Sequence, residues 1–140
     1  MSGLSAFLAQ NALAVENIRY TASRRFLDEA GAPVLWELRC ITSAEDEAIR
    51  EGCTRRVPAA KGKYITETDA ALYLGRLAAQ CTVYPDLKDA ALQDSYGVMG
   101  ADSLLKAMLT PGEYADYLLK AQAVCGFDQT FEELVDEAKN

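Results

Sequence analysis

An α+β fold is predicted for this chain of 140 residues. One N-terminal β-hairpin should pack on a mostly α-helical domain of about five to six helices. Three observations predict it. Two stretches before residue 42 alternate apolar and polar side chains at the period of half-buried strands. Beyond Thr42 the apolar residues recur at helical spacing. Hydroxyl and carboxylate residues stand at cap positions ahead of several of those runs.

Taken in order, residues 2–10 fit a short helix with Leu4, Phe7 and Leu8 on one side. Residues 17–23 set Ile18, Tyr20 and Ala22 against Asn17, Arg19, Thr21 and Ser23, a strand pattern with one buried face. Residues 28–33, DEAGAP, are turn chemistry, with Gly31 free to take positive φ. Residues 34–41 alternate again and place Val34, Trp36, Leu38 and Cys40 on one face. A lone hairpin is marginal in water, so helices must cover that face.

Ser43 is placed to cap a helix running to Glu51, with Asp46 at its third position and Asp46–Arg50 as an i,i+4 pair. Residues 54–64, TRRVPAAKGKY, read as a loop broken by Pro58 and Gly62. Thr66 or Thr68 opens the longest apolar helix, with Ala71, Leu72, Leu74, Leu77, Ala78 and Cys81. Its small residues, Gly75 among them, permit close packing, which marks it as the central core helix. Asp86 starts another short helix with Asp89 in its first turn. Gly97 and Gly100 precede a helix over residues 101–109.

The corner at Thr110-Pro111-Gly112-Glu113 is the most fully specified. Thr110 offers a hydroxyl cap, Pro111 suits the first helical position because its missing N–H is no loss, and Glu113 completes a capping box. Tyr114, Tyr117, Leu118 and Ala121 follow at helical spacing. Thr130 and Glu133 form a second capping box before a last helix carrying Phe131, Leu134, Val135 and Ala138.

By length the chain, residues 1–140, is a single domain. Residues 1–58 hold the hairpin and first helix, and residues 64–140 form an acidic helical part. The charge is uneven. Residues 1–63 carry nine Lys/Arg and eight Asp/Glu, whereas residues 64–140 carry five and thirteen, giving −7 in all. Phosphates would be repelled, so nucleic acid is not expected as a partner. No apolar run approaches a membrane span. The N-terminal stretch lacks a positive n-region, its first cation being Arg19, and Gln10 and Asn11 interrupt its apolar run. A secretory signal is therefore not expected.

Chemistry finds little support. Cys40, Cys53, Cys81 and Cys125 are separated by 13, 28 and 44 positions, and the chain has no histidine. Neither a zinc pattern nor a His-activated nucleophile can be assembled. Free thiols and no metal or other cofactor are expected. Paired carboxylates such as Asp89/Asp94 or Glu133/Asp136/Glu137 are far more often solvated helix faces than acid–base pairs. There is no phosphate or calcium loop. The chain is expected not to be an enzyme.

Two surfaces are candidate partner sites. Tyr114, Tyr117 and Leu118 make a wide stripe on one helix, suited to a partner groove or to a core edge. Arg55, Arg56, Lys61 and Lys63 place four cations within nine residues, as a solvated loop or as a docking site for an acidic partner. The apolar residues of both termini are a further possibility for docking as helices in a groove.

The stretch LQDSYGVMGADSLLKAMLTPGEYADYL resembles the XkdN-like phage tail assembly chaperones. So do ITSAEDEAIR, CTRRVP, TETDAALYLGRLAAQCTVYPDL and the terminal GFDQTFEELVDEAKN, all in the same order. The resemblance covers nearly the whole chain and contains no catalytic signature. It implies a non-enzymatic phage or prophage tail assembly chaperone in the bacterial host cytoplasm. Such a protein would transiently bind the long helical tape-measure protein and keep its apolar seams apart before the tail tube forms. The alternative is a structural or adaptor protein retained in the tail particle.

Overall fold

Both alternating stretches pair, over shorter spans than their pattern predicted. A computed structural model describes residues 3–128 and 137–138. Its element order is β1 (Ile18–Tyr20), β2 (Trp36–Leu38), α1 (Ser43–Gly52), β3 (Thr54–Pro58), β4 (Tyr64–Thr68), α2 (Ala70–Cys81), β5 (Thr82–Tyr84), α3 (Ala90–Ser95), α4 (Ala101–Met108) and α5 (Pro111–Val124). The fold is α+β, as predicted. β1 and β2 are antiparallel, with Tyr20 opposite Trp36 and Ile18 opposite Leu38. Across this pair Glu37 accepts from Arg19 and Asn17, both at 2.8 Å. The Asp28 carboxylate builds the turn between the strands by accepting from the Ala30 and Ala32 N–H groups, and Gly31 sits at φ +81°.

Two corrections concern strands that the sequence pattern did not reveal. β5 joins the hairpin to make a three-stranded sheet of order β1-β2-β5, Glu37 facing Tyr84 and Leu38 facing Thr82. The predicted loop at 54–64 is instead half of a second antiparallel pair, β3–β4, with Thr54 opposite Thr68 and Pro58 opposite Tyr64. Lys61 and Gly62 turn it at φ 62° and 71°, the left-handed pair that a tight hairpin turn requires. The part after residue 64 is thus not purely helical.

Helix starts lie within a few residues of their predicted caps. Thr42, not Ser43, caps α1, and Glu45 closes the capping box. Asp69, just beyond Thr68, caps α2. Asp89 itself caps α3, accepting from the Leu92 N–H at 2.8 Å. Thr110 and Glu113 form the predicted box on α5 with Pro111 at its start. The N-terminal helix is reduced to a single tight turn over Ser5–Phe7. The helix predicted from Thr130 and Glu133 lies outside the described residues.

The core forms where α2, α4 and α5 close over the sheet. Trp36, Leu38, Leu77, Leu104, Leu105 and Tyr117 are almost entirely buried. Side chains of this size contribute about 1.5–3 kcal/mol each when removed from water. Trp36 packs against Phe26 and edge-on against Tyr117, with centroids 6.0 and 5.4 Å apart. α1 is fastened to α2 by a polar knot. The Tyr73 hydroxyl donates to Asp46, and Arg50 lies 4.4 Å over the Tyr73 ring while pairing with Asp46 at 3.0 Å. Burial, helped by the hydrogen bond to Asp46, pushes the Tyr73 hydroxyl up to about 12. A second knot joins Arg39, Glu45 and Gln80. Arg39 grips Glu45 with two bonds of 3.2 and 2.8 Å, and Gln80 donates to it at 3.0 Å.

Trp36→Ala should cost about 3–5 kcal/mol in denaturant unfolding, because it empties the aromatic centre of the core. A loss below about 1 kcal/mol would contradict that placement. The Glu45 knot has a pH signature. Hydrogen bonds from Arg39, then Gln80 and the Thr42 backbone, hold its carboxyl well below the ordinary range. A lowered folded value stabilises the protein fully above the unfolded value of about 4.3. That contribution drains away as the pH falls from there towards the folded value. The melting-temperature gap between wild type and Glu45→Gln should therefore be constant above that pH and shrink below it.

Candidate functional site

Helical spacing placed Tyr114, Tyr117 and Leu118 on one stripe of α5, and the fold turns that stripe inward. Tyr117 is fully buried. Its hydroxyl lies 2.6 Å from the Thr82 hydroxyl, which itself donates to the Ala78 carbonyl at 2.8 Å, so Tyr117 is the donor to Thr82. Burial pushes the Tyr117 hydroxyl far above its ordinary value, and it stays protonated. Tyr117 therefore belongs to the core and offers a partner no surface. Tyr114 and Leu118 are half-buried against the same core. The Tyr114 hydroxyl reaches the backbone of α2 at Gly75, where a Cβ would sit 2.8 Å from the oxygen.

The basic residues fare differently. Arg55 and Arg56 lie on β3, Lys61 at the turn and Lys63 just before β4, all exposed. Arg55 pairs across the ladder with Glu67 at 3.0 Å. Arg56 lies 5.0 Å over the Tyr64 ring. The structure thus gathers the four cations on one ribbon and separates them from Tyr114 and Leu118.

A third surface emerges that no local pattern pointed to. A cleft of about 190 Å³ is lined by Phe26, Val34, Trp36, Tyr84, Pro85, Leu92 and Met108. Trp36 and Met108 form its buried floor, and Tyr84, 54% exposed, stands at its rim. Its lining is drawn from β2, the end of β5, α3, α4 and the turn after β1, so no sequence spacing could gather it. Only Val34, by sharing the alternation of Trp36, was visible as part of an apolar face.

A separate cleft of about 230 Å³ beside the end of α2 is lined by Ile49, Arg76, Ala79, Gln80, Lys88, Ala101 and Asp102. Glu45 at this side of the fold is held ionised by Arg39, which suits it to structural pairing rather than proton transfer. Asp89 is occupied as a helix cap. Glu133 and Asp136 lie outside the described residues. Cys81 and Cys125, far apart in sequence, bring their sulfurs to 3.6 Å as free thiols. Burial first, then the neighbouring Cys125, raises the Cys81 thiol, which keeps it protonated and weakly nucleophilic. Among the described residues no helix is long and apolar enough to cross a membrane.

Comparison with known proteins places this geometry in context. Residues 4–139 match the family described as phage XkdN-like tail assembly chaperone protein. The chain is 32% identical over 139 residues to the phage-like element PBSX protein XkdN of Bacillus subtilis (strain 168), covering 98% of this chain and 93% of that protein. It is equally similar, over the same coverage, to the protein YqbN of that strain. A crystal structure of YqbN superposes with a TM-score of 0.77 at 27% identity, covering 91% of this chain and 99% of that one.

The contact between Tyr114 and Gly75 can be tested directly. Gly75→Ala should destabilise the fold by about 1–3 kcal/mol, since the new methyl group collides with the hydroxyl. Tyr114→Phe in the same chain should recover part of that loss in a double-mutant cycle. Additive effects would show that the two residues do not meet.

Proposed function

The chain belongs to the phage XkdN-like tail assembly chaperone family, and from that premise we propose that it acts by transiently binding the tail tape-measure protein in the host cytoplasm, without catalysis. The observation that carries this reading is the apolar cleft between the sheet edge and α3–α4. Its lining offers an aromatic and aliphatic floor to one row of apolar side chains from a bound helix. A long helical protein with apolar seams self-associates unless those seams are covered, and a concave apolar site on an acidic body covers them while charge keeps the complex dispersed. The net charge of −7 supports the second half of that argument. Tyr114 and Leu118 are at most a margin of such a surface.

Coexpression with the tape-measure protein of the same phage should raise the soluble yield of that protein. Tyr84→Glu with Leu92→Glu places two carboxylates in the cleft and should abolish the gain, while the melting temperature of the isolated variant stays within a few degrees of wild type. Mass analysis of finished tails should find the protein absent. Stoichiometric retention in tails, or an unchanged yield with the double variant, would overturn the transient role or the location respectively.

A further inference from the structure

Among the described residues, the β3–β4 ribbon is the paired element whose two faces are both open. Apart from half-buried Val57, every residue of its strands is exposed, Tyr64 and Ile65 at 60% and 55%. It is tied down at its root, where the Asp69 N–H donates to the Cys53 carbonyl at 2.8 Å beside the buried Cys53 side chain. An isolated two-stranded ribbon is marginal in water, so a projecting one gains stability when a further strand or surface covers it.

The register decides which edge can accept such a strand. Asp69 donates to Cys53 at the root, and Ala59 donates to Lys63 at 2.7 Å near the tip. Both are odd-numbered pairs, so the pairs between them, Arg55–Glu67 and Val57–Ile65, hold the ladder bonds. The even-numbered residues turn their N–H and C=O groups outward. On β3 that outer row is Thr54, Arg56 and Pro58, and Pro58 has no N–H to offer. On β4 it is Tyr64, Thr66 and Thr68, each with both groups. β4 therefore presents an intact edge, and β3 a blunted one.

Charge selects the occupant. The ribbon and its turn carry Arg55, Arg56, Lys61 and Lys63 against the single carboxylate of Glu67. A second copy's ribbon would bring like charges together. The geometry points to the outer edge of β4 as the docking edge for an acidic, extended segment of a partner protein, added as a further strand and held by the net positive charge that Arg56, Lys61 and Lys63 give the ribbon. Main-chain bonds to Thr66 and Thr68 would supply affinity, and the cations would supply choice of partner and a salt-dependent on-rate. The inference stands apart from the cleft and the tape-measure reading, since it involves other residues.

The test uses the full chain and a short end-blocked peptide alternating Glu and Val. The same peptide with Lys for Glu, and single-stranded oligothymidylate, serve as controls. The Glu peptide should bind saturably, weaken with added salt, and slow amide exchange at Thr66 and Thr68. The Lys peptide should not bind. Thr66→Pro removes an outward N–H and should weaken binding at least tenfold, with the Val57 and Ile65 amides still protected. Should that variant disturb the ribbon, Arg56→Glu with Lys63→Glu leaves the backbone intact and should also lose at least tenfold. The proposal is overturned if the Glu peptide fails to bind, if its binding leaves Thr66 exchange unchanged, or if oligothymidylate binds in preference.

Discussion

Tyr117 is the pivot on which the two halves of this protein meet. Its ring stacks on Tyr20 at 6.1 Å and meets Trp36 edge-on, and its hydroxyl bonds Thr82. One side chain from α5 therefore touches a residue of each strand in the β1-β2-β5 sheet. A buried hydroxyl must find a partner or lose the free energy of desolvation. Thr82 supplies that partner because its own proton is already directed to the Ala78 carbonyl. The short β5 follows α2 without a break, so the same bond also fixes the end of α2 against α5. Everything around the core, the cleft included, takes its position from that alignment.

The parts of the fold that were legible in the sequence are those written in local chemistry. Thr110, Pro111 and Glu113 specify a helix start within one turn of chain, and the structure follows them to the residue. Thr42 and Ser43 are adjacent hydroxyls, and only the match between Thr42 and Glu45 three residues on separates them. The alternation of Val34, Trp36 and Leu38 was visible because burial of one face writes a period of two into the sequence. The β3–β4 ribbon has no buried face and so writes no such period. Its Pro58 and Gly62 look like breakers until the ladder is seen to end at one and turn at the other. β5 escaped because three residues directly after a helix carry too little pattern to stand apart from it.

The candidate surfaces divide in the same way. A helical stripe says which side chains share a face and nothing about where that face points. Tyr114, Tyr117 and Leu118 do share one, and it points to the core. Charge is more informative, because four cations in nine residues cannot all be buried at tolerable cost. Arg55, Arg56, Lys61 and Lys63 accordingly remain at the surface. Of the apolar cleft only the Val34–Trp36 face was legible. Phe26, Trp36, Tyr84, Leu92 and Met108 come together only through the packing of separate elements.

Under the transient role proposed above, the separation of cleft and ribbon would have a physical consequence. The cleft is floored by Trp36 and Met108, so a helix seated there rests on the most rigid part of the fold and meets a site that needs little ordering. The ribbon is attached through its root at Cys53 and Asp69 and packs chiefly on itself. Ordering a segment along it costs more conformational entropy, and its attraction is largely electrostatic and screened within about 10 Å at 0.1 M salt. A preformed apolar site favours residence, whereas an exposed basic edge favours rapid capture and rapid exchange. With the two proposed sites on separate elements, the ribbon would be loaded or released without touching Trp36 and the aromatic core that floors the cleft.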